Sequence, residues 1–211
     1  MTKLYGVVGD PISHSLSPVI HNAWIREHDL DATYEALHIP KGQFADGLAT
    51  LEARKALGLN VTSPHKEAAI ELAEGTSDAA DMRATLTICN RTESRAEELV
   101  RHLNIKADVR SLEHAPAEMG KADLVINTLS IGQTGQALDL PEGKLRTFYD
   151  ISYGKPAQAM LGRAEAAGWK PLDGLSMLVA QAAFSFEMWF GILPDMQGAL
   201  ARCRKLVEAT S

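Results

Sequence analysis

Cysteine is nearly absent from this chain, with 2 in 211 residues, Cys89 and Cys203. Neither has a Cys-x-x-Cys partner or a metal-ligand spacing. That excludes a disulfide framework and a thiolate metal site, and leaves two buried, reduced thiols as the expectation. Basic blocks are lacking too. With a net charge of −6 and no run of lysine or arginine to neutralise phosphates, nucleic acid and anionic membrane surfaces are excluded as partners. No apolar run is long and clean enough to span a bilayer. The most apolar stretch, residues 175–193, is interrupted by Gln181, Ser185 and Glu187 and reads as a buried amphipathic helix. Met1 to Leu4 leads into a strand-like run with no apolar leader, so the cytoplasm is the expected location. Neither an internal repeat nor a low-complexity segment stands out. What remains, at 45% hydrophobic residues, is a globular chain of one or two domains.

The first half alternates strand and helix signals. Residues 4–8, 33–39 and 57–61 read as strands, and 18–27, 43–53 and 64–73 as helices. From Thr85 the pattern restarts, with strands at 85–89, 107–110, 123–127 and 148–151 and helices at 93–103 and 158–167. Two long helices, 174–191 and 195–208, close the chain. Such alternation with short connections argues for βαβ units in an α/β fold with a mostly parallel sheet.

Two segments place small hydroxyl and amide side chains just before a proline and an amphipathic run: His14-Ser15-Leu16-Ser17-Pro18 and Asn60-Val61-Thr62-Ser63-Pro64-His65-Lys66. Proline favours the first helical position, so each reads as a loop feeding a helix N-terminus, with Ser17 as an N-cap. Helix starts offer free N–H groups and partial positive charge, which suits a small, carboxylated, oxygen-rich ligand. Lys66 falls in the first turn of the second helix, where the dipole disfavours an ammonium and favours proton exchange near neutral pH. Spacing alone also allows an ordinary solvated lysine. His14 and His65 lack the carboxylate or cysteine neighbours that a metal site needs, so no metal is expected.

Residues 6–18 resemble the opening of shikimate dehydrogenases, and Asn60 to Lys66 resembles that family's second motif. Further matches follow in the family's order at Asn90-Arg91-Thr92 with Arg95-Ala96, at Asp150-Ile151-Ser152-Tyr153, and at residues 174–182. The resemblance implies a two-domain open α/β protein with an N-terminal substrate domain, residues 1–80, and a Rossmann-like NADP domain, residues 81–173. Residues 174–211 would form helices returning to the substrate domain. It further implies reversible reduction of 3-dehydroshikimate to shikimate, a step in aromatic amino-acid biosynthesis, by a monomer or homodimer. Lys66 would be the acid/base. Ser15 and Ser17 would hold the substrate carboxylate, Asn60 and Thr62 its ring hydroxyls, and Tyr153 and Gln181 would close over it. Without the resemblance, Gln181 reads as a polar residue on the buried side of a helix. At the end of the strand 85–89, where NAD-binding folds place an acidic residue, stand Asn90, Arg91 and Thr92, with Arg95 one turn on. Arginine there suits the 2′-phosphate of NADP, although a surface arginine pair fits the spacing equally. Asn127, Ile151, Gly174 and Met177 match positions near the nicotinamide. A quinate/shikimate dehydrogenase preferring NAD is the close alternative, and the Arg91 set counts against it.

One family element is missing. No Gly-x-Gly-x-x-Gly or Gly-Ala-Gly-Gly turn precedes Thr85, and Gly132 and Gly135 follow a later strand. The family's segments holding a substrate-binding asparagine and the aspartate partner of the lysine are also lacking between Ala80 and Asp81. Asp78 and Asp81 are weak replacements. About two supersecondary units, roughly sixty residues, would be needed to supply these features. The lost first strand is central in a doubly wound sheet. Its neighbours, 85–89 and 123–127, would have to pair directly or leave backbone groups unpaired. A non-catalytic shikimate-binding protein is therefore the alternative expectation.

Overall fold

A computed structural model describes residues 2–72, 85–129 and 138–210. The described residues fall into two compact units, one holding 2–72 and 175–210, the other 85–129 and 138–174.

The first unit is built on three parallel strands, β1 (Lys3–Gly9), β2 (Ala32–His38) and β3 (Ala56–Val61), in the order β2-β1-β3. β1 is central and buried along nearly its whole length, as a strand covered on both faces must be. Helix α1 (Ser17–Glu27) connects β1 to β2, and α2 (Phe44–Ala53) connects β2 to β3. The period-2 alternation of the strands divides the core. Val8, Leu37, Ile39, Phe44 and Leu51 cluster on the α2 side. On the other face Tyr5 and Tyr34, matched in register, meet His21 and Trp24 of α1 and Phe186, Trp189 and Phe190 of α7 (Leu175–Phe190). Asn60 is in register with Val7 and so points to this aromatic face. The last helix, α8 (Met196–Thr210), is tied to α1 by an Arg202–Glu27 ion pair of 2.8 Å, and the Trp24 indole donates to the Asp195 carbonyl at 3.1 Å.

The second unit contains two separate parallel sheets. β4 (Thr87–Asn90) pairs with β5 (Asp108–Ser111), and β6 (Leu124–Asn127), β7 (Thr147–Asp150) and β8 (Lys170–Leu172) form the other in that order. Helices α4 (Glu93–His102), α5 (Ala115–Met119) and α6 (Lys155–Ala166) accompany them, and α3 (Lys66–Leu72) belongs to the first unit. Ala115, Met119, Val125, Phe148, Met160, Ala164 and Trp169 form a core against which Cys89 packs. These orders match the 3-2 and 4-5-6 parts of the doubly wound sheet 3-2-1-4-5-6, and no strand one stands among the described residues. Of the two alternatives for its neighbours, direct pairing does not occur among the described residues. The strand read at 85–89 is β4, and all of it is half-buried. On β6 one face packs inward while Leu124 and Ile126 are 52% and 55% exposed.

Other differences are local. Cys203 is buried but Cys89 only half-buried, on a strand with one strand neighbour among the described residues; burial raises both thiol pKa values. β8 escaped the sequence reading because it is three residues long and contains Pro171, which an edge strand tolerates. Among the described residues, no helix is long and apolar enough to cross a membrane.

Candidate active site

α1 begins at Ser17, with Leu16 at the N-cap position and Pro18 second in the helix. The expectation that Ser17 caps the helix is therefore corrected: its N–H donates to Ser15 Oγ at 3.2 Å, so Ser15 serves that end. Ser17 is 3% exposed, and its hydroxyl lies near enough to the Tyr34 hydroxyl to favour the ionised phenol.

Tyr34 is held on three sides. Asn22 clamps its backbone, Nδ2 donating to the Tyr34 carbonyl at 2.8 Å and Oδ1 accepting from its N–H at 2.9 Å. Its ring stacks on His21, centroids 4.0 Å apart and planes within 3°. Its hydroxyl accepts from Asn60 Nδ2 at 2.8 Å. Burial pushes the Tyr34 pKa up, and the Asn60 bond and the nearby Ser17 hydroxyl oppose that only in part. The other end of the Asn60 amide accepts from Ser185 Oγ at 2.7 Å. That hydroxyl also lies 3.0 Å from the Gln181 carbonyl, one helical turn back. Ser15, Ser17, Asn60 and the Gln181 segment of α7 thus form one polar cluster. Gln181 itself is exposed, so the reading its surroundings alone suggested, a polar residue on the buried side of the helix, does not hold.

The second loop departs from the expected geometry. Pro64 lies in a turn closed by the His65 N–H on the Thr62 carbonyl at 3.0 Å, and α3 starts at Lys66. Pro64 is not a first helical residue, because His65, 2% exposed, is anchored away from solvent by its Nε2 contact of 2.7 Å with the Ile39 carbonyl and by stacking on Phe44. His65 is a packing residue. Thr62 is half-buried and fixed by its N–H on the Val8 carbonyl at 2.9 Å; Lys66, at the head of the helix, is exposed. Among the described residues no group of three His, Cys, Asp or Glu side chains could hold a metal.

In the second unit, Asn90, Arg91 and Thr92 make the β4–α4 turn, with Asn90 Oδ1 accepting from the Thr92 N–H at 3.0 Å. Arg91 and Arg95 are exposed. Arg91, Ser111, Leu112 and Glu113 line a cavity of about 330 Å³ at the carboxyl ends of β4 and β5, where open α/β sheets bind ligands. Ser111 was not expected from sequence. Asn127 is 3% exposed, and its side chain is committed internally: Nδ2 donates to Asp150 Oδ2 at 2.9 Å and Oδ1 accepts from the Leu129 N–H at 3.1 Å. The Ile151 N–H donates to the Asn127 carbonyl at 3.1 Å, and the Gly174 N–H to the Ser152 carbonyl at 2.9 Å. Gly174 cannot be replaced cheaply, since a Cβ there would overlap the Ile151 carbonyl. Asn127, Ile151 and Gly174 are thus neighbouring strand ends, whereas Met177, 44% exposed, falls in the first unit and Tyr153 in the second. Residues 73–84 and 130–137 lie outside the described residues, which removes Asp78, Asp81, Gly132 and Gly135 from view.

Residues 7–88 match the family model for the shikimate dehydrogenase substrate-binding domain, and 174–201 that for the shikimate 5′-dehydrogenase C-terminal domain. A shikimate dehydrogenase (NADP(+)) of Hyphomonas neptunium is 45% identical, with 100% of each chain covered. The chain belongs to the shikimate dehydrogenase family. Among solved structures, the shikimate dehydrogenase of Aquifex aeolicus is 25% identical with a TM-score of 0.80, covering 95% of this chain and 97% of its own. The Thermus thermophilus shikimate 5-dehydrogenase, solved with NADP(H) and shikimate, shares the fold at a TM-score of 0.80 and 23% identity, with 96% and 99% covered. The alignment with the Hyphomonas relative runs over 270 positions against 211 residues here, leaving 59 positions without a counterpart. For a family member that gap is the size of the βα units missing from the split sheet. The Arg91 cavity suits a nucleotide phosphate, whereas no glycine-rich pyrophosphate turn occurs before Thr85.

Proposed function

We propose that this protein is an NADP-dependent shikimate dehydrogenase that reversibly reduces 3-dehydroshikimate to shikimate in aromatic amino-acid biosynthesis. The observation carrying this reading is the 45% identity to the Hyphomonas neptunium enzyme across the whole of both chains. The first unit with α7 and α8 is the substrate domain, and the second holds NADP. The bound cofactor would supply the hydride chemistry, donating to the ring carbon as NADPH in reduction and accepting from it as NADP⁺ in oxidation. Ser15 and Ser17 hold the substrate carboxylate. Asn60 and Thr62 bind ring hydroxyls, and Tyr153 and Gln181 close over them. Lys66 gives a proton to the forming hydroxyl oxygen in reduction and removes it in oxidation. Arg91, Arg95 and the Asn90–Thr92 turn hold the 2′-phosphate end of the cofactor, while Asn127, Ile151, Gly174 and Met177 serve the nicotinamide end. The protein works in the cytoplasm as a monomer or homodimer.

A non-catalytic shikimate-binding protein finds no support among the relatives, which carry the enzyme's name. Thermal unfolding with each ligand alone separates the two readings. Shikimate and NADP should each stabilise the chain, by about 2.7 kcal/mol at one hundred times their dissociation constants. A response to shikimate with none to NADP would reject the enzyme reading. Replacing Arg91 by Ala should weaken NADPH about tenfold or more and leave NADH nearly unchanged, because only the former loses a charge-assisted bond. Equal losses for the two cofactors would remove Arg91 from the 2′-phosphate site.

A further inference from the structure

We propose that Tyr34 and Ser185 are positioning residues that hold the Asn60 amide at both ends and so decide which of its groups meet the substrate. The inference rests on the reading of Asn60 as a substrate contact. A primary amide offers two N–H donors and two acceptor lone pairs. In Asn60 one donor is engaged by the Tyr34 hydroxyl at 2.8 Å and one lone pair by Ser185 Oγ at 2.7 Å. One N–H and one lone pair remain on a plane pinned from opposite sides. That pair fits a single hydroxyl group, which accepts and donates at once, and fits an ether or a bare methylene badly.

The supports of this clamp are themselves immobile. Tyr34 is 2% exposed, its backbone is held by Asn22 and its ring lies flat on His21. Ser185 stands four residues after Gln181 on α7, and the Gln181 carbonyl 3.0 Å away keeps its hydroxyl on the Asn60 side of the helix. Tyr34 also reaches the Ser17 hydroxyl. It therefore links the two loops assigned to the substrate carboxylate and to its ring hydroxyls. A bond lost at either end would free the amide to rotate, and its remaining groups would incur an ordering cost on binding.

The test is a double-mutant cycle read as the shikimate dissociation constant by calorimetry on the full chain. Ser185→Ala and Tyr34→Phe should each weaken shikimate about fivefold, the usual worth of one neutral hydrogen bond. Ser185→Thr, which keeps the hydroxyl, should bind like the wild type. In an Asn60→Ala background neither substitution should weaken binding further. The same fivefold loss with and without Asn60, or no loss in the single variants, would overturn the proposal. If Asn60→Ala itself leaves shikimate affinity unchanged, the substrate reading of Asn60 fails first, and the cycle shows which of the two is wrong.

Discussion

Lys66→Ala lowers the turnover of shikimate by about 10²–10⁴-fold, the span that a positioned general acid or base contributes. Stability should move by less than about 0.5 kcal/mol, because Lys66 is exposed at the head of α3 and its loss opens no cavity. Lys66→Arg decides what kind of role the residue has. Arginine keeps the positive charge but does not release its proton in a protein. If Lys66 transfers a proton, the arginine variant should be nearly as impaired as the alanine one. If it serves only to attract the substrate carboxylate, arginine should restore activity and alanine should raise KM with little change in kcat. Steady-state rates for the three proteins, with thermal unfolding of each, settle the assignment. An arginine variant within tenfold of the wild type would contradict it.

The second large effect is on stability, and it comes from His21. Both ring nitrogens are buried without a hydrogen-bond partner in the structure, and the ring is boxed by Trp24, Tyr34, Phe186 and Trp189. Burial lowers its pKa from 6.5 to about 3. Between those values the unfolded chain binds a proton that the folded chain does not. Stability therefore rises with pH across this window and is lost as pH falls through it. The full loss is on the order of 5 kcal/mol, with a slope near 1.4 kcal/mol per pH unit inside the window. His21→Phe keeps the stacked ring and removes the titration. At neutral pH it should be no less stable than the wild type, since it also removes two orphaned polar atoms. As the pH drops from 7 to 4 its advantage should widen. Denaturant unfolding at a series of pH values checks this, and parallel stability curves for the two proteins would refute it.

The α/β character was legible because it rests on short-range signals. Strands of Val, Ile, Leu and Tyr alternate with amphipathic helices at short spacings, and among the described residues every strand pairing is parallel. Helix starts were read less well. Pro64 has the local signature of a first helical residue, but the long-range anchor of His65 on Ile39 keeps the chain in a turn for two more residues. Within the proposed site, Ser15, Ser17, Asn60 and Lys66 were named from the two motifs and their family resemblance. Tyr34 and Ser185 were not. The alternation of β2 says which face Tyr34 joins and nothing about the amide it meets from β3. Ser185 had a readable signal in its four-residue spacing from Gln181, yet its partner lies 125 positions away in sequence. Asn127 shows the opposite case. Its motif position suggested a nicotinamide contact, and no sequence signal showed that its amide also bonds Asp150. The missing glycine turn was the plainest absence in the sequence, and its structural counterpart is that β4 and β6, each paired on one edge, do not pair with each other among the described residues.

The most direct test of the account is NADP⁺ reduction driven by shikimate, with the intact mass of the same purified sample recorded. The account predicts shikimate-dependent formation of NADPH that far exceeds formation of NADH. Shikimate binding with no NADPH formed, in a sample whose mass is 22.8 kDa, would contradict it.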